Sequence, residues 1–202
     1  MLMRCLVALL LGLVTLVAPA ADLAQSVRER LAQPPVLRGE FEQRKQVAGF
    51  KKPLLSRGDF IVARERGVLW RTTSPFASQL RLTRNEIVAT QGGQVAFRLD
   101  AAKEPSVRMI NALLFALLNG DIDALTEHFG VDGEASGQQW QLVLTPKSAA
   151  LARLMTRVSL SGDQYVRQID IAEANGDRTA IRFSAQHSTP SRLSGEEAAR
   201  FD

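Results

Sequence analysis

The residues of this chain that could do chemistry are few, and their spacing does not suit it. His128 and His187 are the only histidines, and neither is spaced with a second ligand as a metal site requires. His187 stands beside Ser188, but neighbours on a strand point to opposite faces, so the two cannot form a nucleophile–base pair. No Gly-x-Ser-x-Gly elbow is present. We therefore expect no catalytic residue, no metal site and no cofactor.

The N-terminal segment is typical of a secretory signal peptide. Arg4 supplies a short positive region, Cys5 to Val17 forms a nearly unbroken apolar run, and Ala18-Pro19-Ala20 has the small-x-small pattern of a cleavage site. The apolar run is short for a membrane span, although an uncleaved anchor is the alternative interpretation. The sequence predicts an exported protein, cleaved after Ala20, whose mature chain 21–202 is a single domain.

Cysteine usage and charge exclude several classes of protein. Cys5 is the only cysteine and lies in the segment expected to be removed, so disulfides, cysteine catalysis and cysteine–zinc sites are excluded from the mature chain. The precursor carries a net charge of +4, and charges alternate in sign along the stretch from Arg38 to Lys45. Such alternation is typical of a solvated face, whereas a nucleic-acid binder would show a denser basic patch with interleaved aromatics. No nucleic-acid partner is expected.

Short apolar segments separated by turn residues predict an α+β fold dominated by one antiparallel sheet. After a helix at Leu23 to Leu31, about ten or eleven strands are predicted: Val36 to Val47, Leu54 to Ala63, Gly67 to Thr72, Gln79 to Thr83, Glu86 to Thr90, Gln94 to Leu99, Val131 to Ala135, Gln139 to Thr145, Val158 to Ser161, Tyr165 to Ala172 and Thr179 to Gln186. A sheet of this size should curl. The polar tail from Ser188 is expected to be loosely ordered, with room for a short helix at Glu196 to Phe201.

A second, unusually apolar helix is predicted from Pro105 to Leu118. Val107, Ile110 and Leu114 share one face, and further apolar residues occupy another, so most of the circumference is apolar. A surface helix normally carries a single apolar stripe, so this helix should cover the concave face of the curled sheet. Two interpretations stay open: a permanent core helix of a plain α+β domain, or a lid over an apolar cavity, where ligands are usually held.

Several short motifs, taken together, carry a family resemblance. They are Phe41-x-Gln43, Gly58-Asp59-Phe60 to Arg64, Trp70 with Pro75, the apolar helix followed by Gly120-Asp121 and Phe129, and Leu142-x-Leu144-x-Pro146-Lys147. In order and spacing the chain resembles the periplasmic outer-membrane lipoprotein carriers, the LolA-like proteins of Gram-negative bacteria. The resemblance implies a periplasmic protein with an unclosed β-barrel and a helical lid over an apolar cavity that accepts the acyl chains of a lipoprotein.

The resemblance also implies roles for particular residues. An arginine after the Gly-Asp strand holds the empty carriers shut by hydrogen bonds to the lid, and Arg64 stands at the matching position. The expected cavity residues are Phe41, Phe60, Val62, Val68, Trp70, Leu80, Leu82, Met109, Leu113 and Leu117. Glu65 and Val68 stand where better-known carriers have a proline and an aromatic, which leaves the cargo open.

The first functional hypothesis is a monomeric carrier without enzymatic activity. It would take an acylated lipoprotein or lipid from an inner-membrane ABC-type lipoprotein-releasing transporter to an outer-membrane lipoprotein receptor. Burial of an acyl chain of some sixteen carbons, at about 0.8 kcal/mol per CH₂, gives on the order of 10 kcal/mol before ordering costs. The alternatives are a dedicated carrier for glycolipid or aryl-polyene pigment export, a lipid-sensing or scaffold domain that regulates an envelope pathway, and an acyl-processing enzyme, against which the missing triad argues.

Overall fold

The computed structural model describes residues 20–104 and 122–202 of the chain. The helices are α1 (Ala20–Arg30), α2 (Ile122–His128), α3 (Ala149–Ala152) and α4 (Gly195–Ala199). The strands are β1 (Val36–Gln46), β2 (Leu54–Ala63), β3 (Gly67–Ser74), β4 (Ser78–Leu82), β5 (Glu86–Gln91), β6 (Gln94–Asp100), β7 (Phe129–Ser136), β8 (Gln139–Pro146), β9 (Met155–Gly162), β10 (Val166–Glu173) and β11 (Arg178–His187). Residues 1–19 of the predicted signal peptide 1–20 and the predicted lid helix at Pro105 to Leu118 lie outside the described residues.

All eleven described strands belong to one antiparallel sheet. Its strand order is β6-β5-β4-β3-β2-β1-β11-β10-β9-β8-β7, so two meanders are joined where β1 pairs with β11. The edge strands β6 and β7 are the two ends of that order and do not pair with each other, which leaves the sheet unclosed. The predicted α+β class and the unclosed antiparallel sheet of about ten or eleven strands are confirmed.

Three helices pack on one face of the β7 to β9 half of the sheet. Val27 of α1 and Leu125 of α2 are fully buried against Leu142 and Leu160, and α3 adds the fully buried Leu151. The predicted apolar face of the first helix is confirmed, because Leu23 and Leu31 pack partly buried against the same cluster as Val27. Among the described residues, no helix has the length and apolar character needed to cross a membrane.

The C-terminal tail packs against the opposite face of the sheet. Phe201 is only 5% exposed and joins Val36, Ile61, Ala63 and Leu69 in a cluster on the outer side of β1 to β3. Outer-face arginines bind the tail: Arg81 Nη1 donates to the carbonyl of Phe201 at 2.7 Å, and Arg66 Nη1 donates to that of Ala198 at 3.2 Å. The prediction of a loosely ordered tail is therefore wrong, although the short helix within it exists as α4.

Candidate apolar ligand site

The sheet register gathers most of the predicted cavity residues into two adjacent rows. Phe60 lies opposite Trp70, and Trp70 lies opposite Leu80. Val62 lies opposite Val68, and Val68 lies opposite Leu82, each two residues along its strand from the first three. Residues directly opposite in a ladder project from the same face, and so do residues two apart in one strand. All six residues therefore share one face of the sheet.

Residues that were not predicted extend these rows on both sides. The first row runs Gly39, Phe60, Trp70, Leu80, Ala89, Phe97, and the second runs Leu37, Val62, Val68, Leu82, Ile87, Leu99. Neither row contains a charged or a strongly polar side chain. At the edge strand β6, Phe97 and Leu99 are 47% and 38% exposed. An uncharged strip thus crosses β1 to β6 and ends at an accessible sheet edge.

An aromatic cluster occupies the β1 end of the strip, where β1 meets β11. The rings of Phe41 and Trp70 stack with their centroids 3.7 Å apart and an interplanar angle of 25°. Phe183 lies opposite Phe41 in the β1–β11 ladder, and its ring meets that of Phe60 edge to face at 5.2 Å. Phe183 was not among the predicted site residues. Its shared parity with Ile181 was the available signal, but only the β1–β11 pairing shows which residues it faces.

Two glycines make room for these rings. Gly39 lies opposite Phe60 and Gly58 opposite Phe41, so each ring crosses a position without a side chain on the neighbouring strand. A Cβ atom added at Gly39 would come within 2.8 Å of the Phe60 ring, and one at Gly58 within 2.9 Å of the Phe41 ring. The Gly-Asp-Phe motif therefore has a packing role, because its glycine makes room for the ring of Phe41 on the neighbouring strand β1.

An apolar pocket adjoins the aromatic cluster between the strip and the end of α1. It has a volume of about 90 Å³, and its lining includes Leu31, Leu37, Phe60, Val62 and Phe183. Ligand pockets usually measure about 300–1,000 Å³, so this pocket is small for a long acyl chain. On its own this pocket could take up only a short part of such a chain. The predicted cavity residues Met109, Leu113 and Leu117 lie outside the described residues.

Arg64 follows β2 and binds the segment that joins α1 to β1. Its Nη1 donates to the backbone carbonyl of Gln33 at 3.2 Å, and its Nη2 donates to Gln33 Oε1 at 3.0 Å. The backbone N–H of Arg64 donates to the carbonyl of Pro35 at 3.1 Å. Because Leu31 and Pro34 of the same segment line the small pocket, Arg64 fixes one wall of that pocket. Glu65 beside it is exposed, and Val68 is half-buried within the strip.

Among the described residues, no group of three or more His, Cys, Asp and Glu side chains is arranged to hold a metal ion. The face of the sheet opposite the strip carries charged side chains. There Asp59 and Arg71 form an ion pair at 2.7 Å. Hydrogen bonding to Asp59 raises the pKa of the Arg71 guanidinium. The apolar strip itself offers burial and aromatic contact and carries no titratable group.

Fold and strip together define a class: a half-open antiparallel sheet with helices and an uncharged aromatic strip on one face. The chain belongs to the family described as outer membrane lipoprotein carrier protein LolA-like, whose model matches residues 17–199. The expected resemblance is confirmed.

Individual relatives agree with this family. The chain is 26% identical over 190 residues to an outer-membrane lipoprotein carrier protein of Aeromonas salmonicida, covering 90% of this chain and 88% of that protein. It is 24% identical over 141 residues to an outer-membrane lipoprotein carrier protein of Chromohalobacter salexigens, with 67% of each chain covered. The crystal structure of a LolA superfamily protein from Nitrosomonas europaea superposes with a TM-score of 0.48 at 12% identity, covering 91% of this chain and 97% of that one.

Proposed function

We propose that this protein is a periplasmic carrier that binds the acyl chains of lipoproteins, or of a related acylated lipid, and shuttles them from the inner to the outer membrane. In this proposal the signal peptide is cleaved after Ala20, and residues 21–202 act as one monomeric carrier domain without catalysis. Cargo arrives from an inner-membrane ABC-type lipoprotein-releasing transporter and leaves to an outer-membrane lipoprotein receptor. Membership of the carrier family and the names of the two relatives support this assignment.

The observation that carries the proposal is the uncharged strip across β1 to β6. Its two rows place an aromatic or aliphatic side chain on nearly every strand, which is the surface that an acyl chain needs. Apolar burial contributes about 0.8 kcal/mol per CH₂ and requires no directional partner. A carrier of this kind can hold its cargo without reacting with it.

In this proposal the carrier has a closed state that must open for loading. The apolar pocket beside Phe60 has a volume of only about 90 Å³, far less than a ligand of lipid size needs. We assign the opening to the apolar segment at Pro105 to Leu118, whose Met109, Leu113 and Leu117 would complete the cavity wall. Arg64 is the residue that biases this equilibrium in the proposal, because it follows β2 at the position that the carrier family uses to hold the closed state.

The two tryptophans provide a direct test of where an acyl chain binds. Trp70 is half-buried within the strip, whereas Trp140 is 4% exposed beneath the helices and donates from Nε1 to the carbonyl of Asp163 at 2.6 Å. In the Trp140→Phe variant, a brominated fatty acid should strongly quench the fluorescence of Trp70, because bound bromine atoms would contact its ring. Titration of the variant with brominated and unbrominated chains measures both affinity and proximity.

The matched control is the reciprocal variant, Trp70→Phe. Its single tryptophan, Trp140, lies in the core cluster formed with α1 and α2, so bound acyl chains should leave its fluorescence almost unchanged. Equal quenching in both variants, or none in either, would contradict binding on the strip. Circular dichroism of each variant checks that the fold is retained.

The Arg64→Leu substitution tests the gating role. Loss of its hydrogen bonds should destabilise the closed state by about 1–3 kcal/mol, which shifts the open–closed equilibrium about tenfold or more. We expect the variant to load an acyl probe readily but to pass it to acceptor membranes about tenfold more slowly, because the loaded open state gains relative to the empty closed one.

The Gln33→Ala variant separates two versions of the gating role. It removes the side-chain partner seen at 3.0 Å and keeps the other contacts of Arg64, including the backbone carbonyl of residue 33. If Gln33→Ala slows transfer as much as Arg64→Leu does, the gate acts through the segment between α1 and β1. Transfer and loading at the wild-type rates in Arg64→Leu itself would rule out the gating role.

A further inference from the structure

We propose that one end of the sheet is a docking surface for an anionic phospholipid bilayer, a property that goes beyond acyl-chain carriage. The surface, here named the rim, is formed by the β1–β2 loop with the first two residues of β2, the β10–β11 turn and the segment from α3 to β9. Its most exposed apolar side chains are Phe50 at 66%, Leu54 at 60% and Leu55 at 51%, joined by Leu154 at 44%. Single exposed apolar residues are common on monomers, but several at one end indicate an interaction surface.

Hydrogen bonds join the three segments into one continuous rim. The backbone N–H of Ala48 donates to Asp177 Oδ1 at 2.9 Å, which connects the β1–β2 loop to the β10–β11 turn. The backbone N–H of Ala174 donates to the carbonyl of Leu154 at 3.1 Å, which connects that turn to the start of β9. Phe50 is held in its own turn by a hydrogen bond from its N–H to the carbonyl of Val47 at 3.1 Å. The segments that carry the apolar side chains are therefore joined to one another by hydrogen bonds.

Cations flank these apolar residues. Lys51 and Lys52 follow Phe50 directly, and Arg153 precedes Leu154; all three are exposed. Just behind the rim, on the outer face, the exposed side chains of Arg44, Arg157 and Arg178 line a groove of about 280 Å³.

The carboxylates close to the rim are already engaged. Glu173 and Asp177 lie 2.9 and 3.3 Å from Lys45 Nζ, and hydrogen bonding to the Ala48 amide and to Lys45 lowers the pKa of Asp177. Asp170, which also lines the groove, accepts a hydrogen bond from the neutral amide of Gln168 at 2.6 Å and keeps its charge. The three arginines of the groove and the three cations beside the apolar residues outnumber these carboxylates, so the charge at the rim is predominantly positive.

This arrangement favours a bilayer over an acidic protein as the partner. The apolar side chains stand at one end of the sheet, and Lys51 and Lys52 lie between Phe50 and Leu54 in the chain, so one flat surface can meet both kinds of side chain. At a membrane, apolar groups enter the boundary between headgroups and acyl chains while lysine and arginine pair with anionic headgroups. Each cation near an anionic bilayer strengthens binding severalfold, and binding falls off within a Debye length as salt rises.

Vesicle sedimentation tests the proposal with the full chain secreted to and purified from the periplasm. The probes are vesicles of phosphatidylcholine with and without phosphatidylglycerol. We expect binding only to the phosphatidylglycerol vesicles, a loss of about 30-fold in affinity for the double variant Lys51→Gln with Lys52→Gln, and about tenfold for Phe50→Ser. Because all variants share the same N-terminus, any contribution of that segment cancels in the comparison.

The matched control removes two exposed cations away from the rim, Lys103→Gln with Arg192→Gln, and should bind as the wild type does. Equal loss in the rim and control variants would overturn the proposal, because it would show attraction to net charge alone. Equal binding to both kinds of vesicle would also overturn it, as would a rim variant that loses transfer to a protein acceptor but keeps vesicle binding. Loading of a brominated fatty acid by the same variants reports on the carrier role separately, so either proposal can fail without the other.

Discussion

Gly58→Ala should lower the free energy of unfolding by about 3 kcal/mol or more, because added atoms in a close-packed site force the backbone to shift. A Cβ atom at this position would overlap the backbone carbonyl of Arg71 in the neighbouring strand and reach within 2.9 Å of the Phe41 ring. A flexible side chain could rotate away, but the carbonyl of Arg71 belongs to β3 and moves only with the strand. The β2–β3 register already shifts between Arg57 and Gly58, so this region has little freedom to adjust.

The same substitution should also disturb the ligand strip. Phe41 lies over Gly58 and stacks on Trp70, so a displaced β2 would move the ring that the tryptophan contacts. Urea denaturation gives the change in free energy of unfolding, and the emission of Trp70 in the Trp140→Phe background reports the change in its surroundings. A shift in both observables is expected from this single methyl group.

Gly130→Ala is the matched control for Gly58→Ala. Gly130 also lies in a strand, but the nearest heavy atom to an added Cβ would be the carbonyl oxygen of Thr145 at 3.7 Å, an ordinary contact. We expect a change of less than about 1 kcal/mol, in either direction. Similar denaturation midpoints for the two variants would show that close approach at Gly58 does not limit stability.

Much of the fold follows from local sequence patterns. The predicted strand at Leu54 to Ala63 agrees with β2 residue for residue, and the first strand ends within one residue of its predicted limit. Two-residue alternation fixes which side chains share a face of one strand. That alone groups Phe60 with Val62 and Val68 with Trp70. Short turns then make neighbouring strands antiparallel, which is enough to place these residues on one apolar surface.

What the sequence does not contain is the pairing between distant segments. Phe183 belongs to the aromatic cluster because β11 pairs with β1, across most of the chain length. Phe97 and Leu99 complete the rows because β6 has the matching register at the far edge. Which side chains share one face of a strand is decided by the local sequence. Which strands lie side by side in the sheet is decided by the topology of the whole domain.

The C-terminal tail is a second case in which local sequence patterns do not predict the contacts that order a segment. Ser188 onward is polar, and polarity without apolar periodicity favours disorder when a segment is considered alone. Its partners are arginines of β1, β4 and the β2–β3 turn, which in the sequence are only part of an alternating charged face. The tail is therefore ordered by cations that lie more than a hundred residues away.

Glu197 is the central anion of this C-terminal contact. Arg38 donates to it through both Nε and Nη2 at 2.7 Å, and the side chains of Arg38 and Glu197 are only 11% and 19% exposed. Arg38 also donates to the carbonyls of Pro190 and Arg192, so one guanidinium holds the turn before α4 as well as the helix. Glu197 in turn accepts from the N–H of Ser194 at 2.7 Å and completes the capping box of α4.

Glu197→Gln should therefore destabilise the protein by about 2–3 kcal/mol at neutral pH. Hydrogen bonding to Arg38 lowers the pKa of Glu197 from its ordinary 4.5 to about 2. Each pKa unit corresponds to about 1.4 kcal/mol, which sets an upper bound of roughly 3 kcal/mol on the contribution of the ionised form. Urea denaturation of the variant and the wild type at pH 7 measures the loss.

The pH dependence distinguishes this ion pair from simple loss of packing. A carboxylate with a lowered folded-state pKa binds fewer protons folded than unfolded, so its contribution is complete above pH 4.5 and decreases as the pH falls toward about 2. The stability difference between wild type and Glu197→Gln should be constant near neutrality and shrink over that acidic interval. Glu196→Gln is the control, since its exposed neighbouring carboxylate loses the same charge and should change stability by less than about 0.5 kcal/mol. A difference for Glu197→Gln that persists unchanged down to pH 2 would mean that shape and hydrogen bonding of the side chain, and not its charge, hold the tail on the sheet.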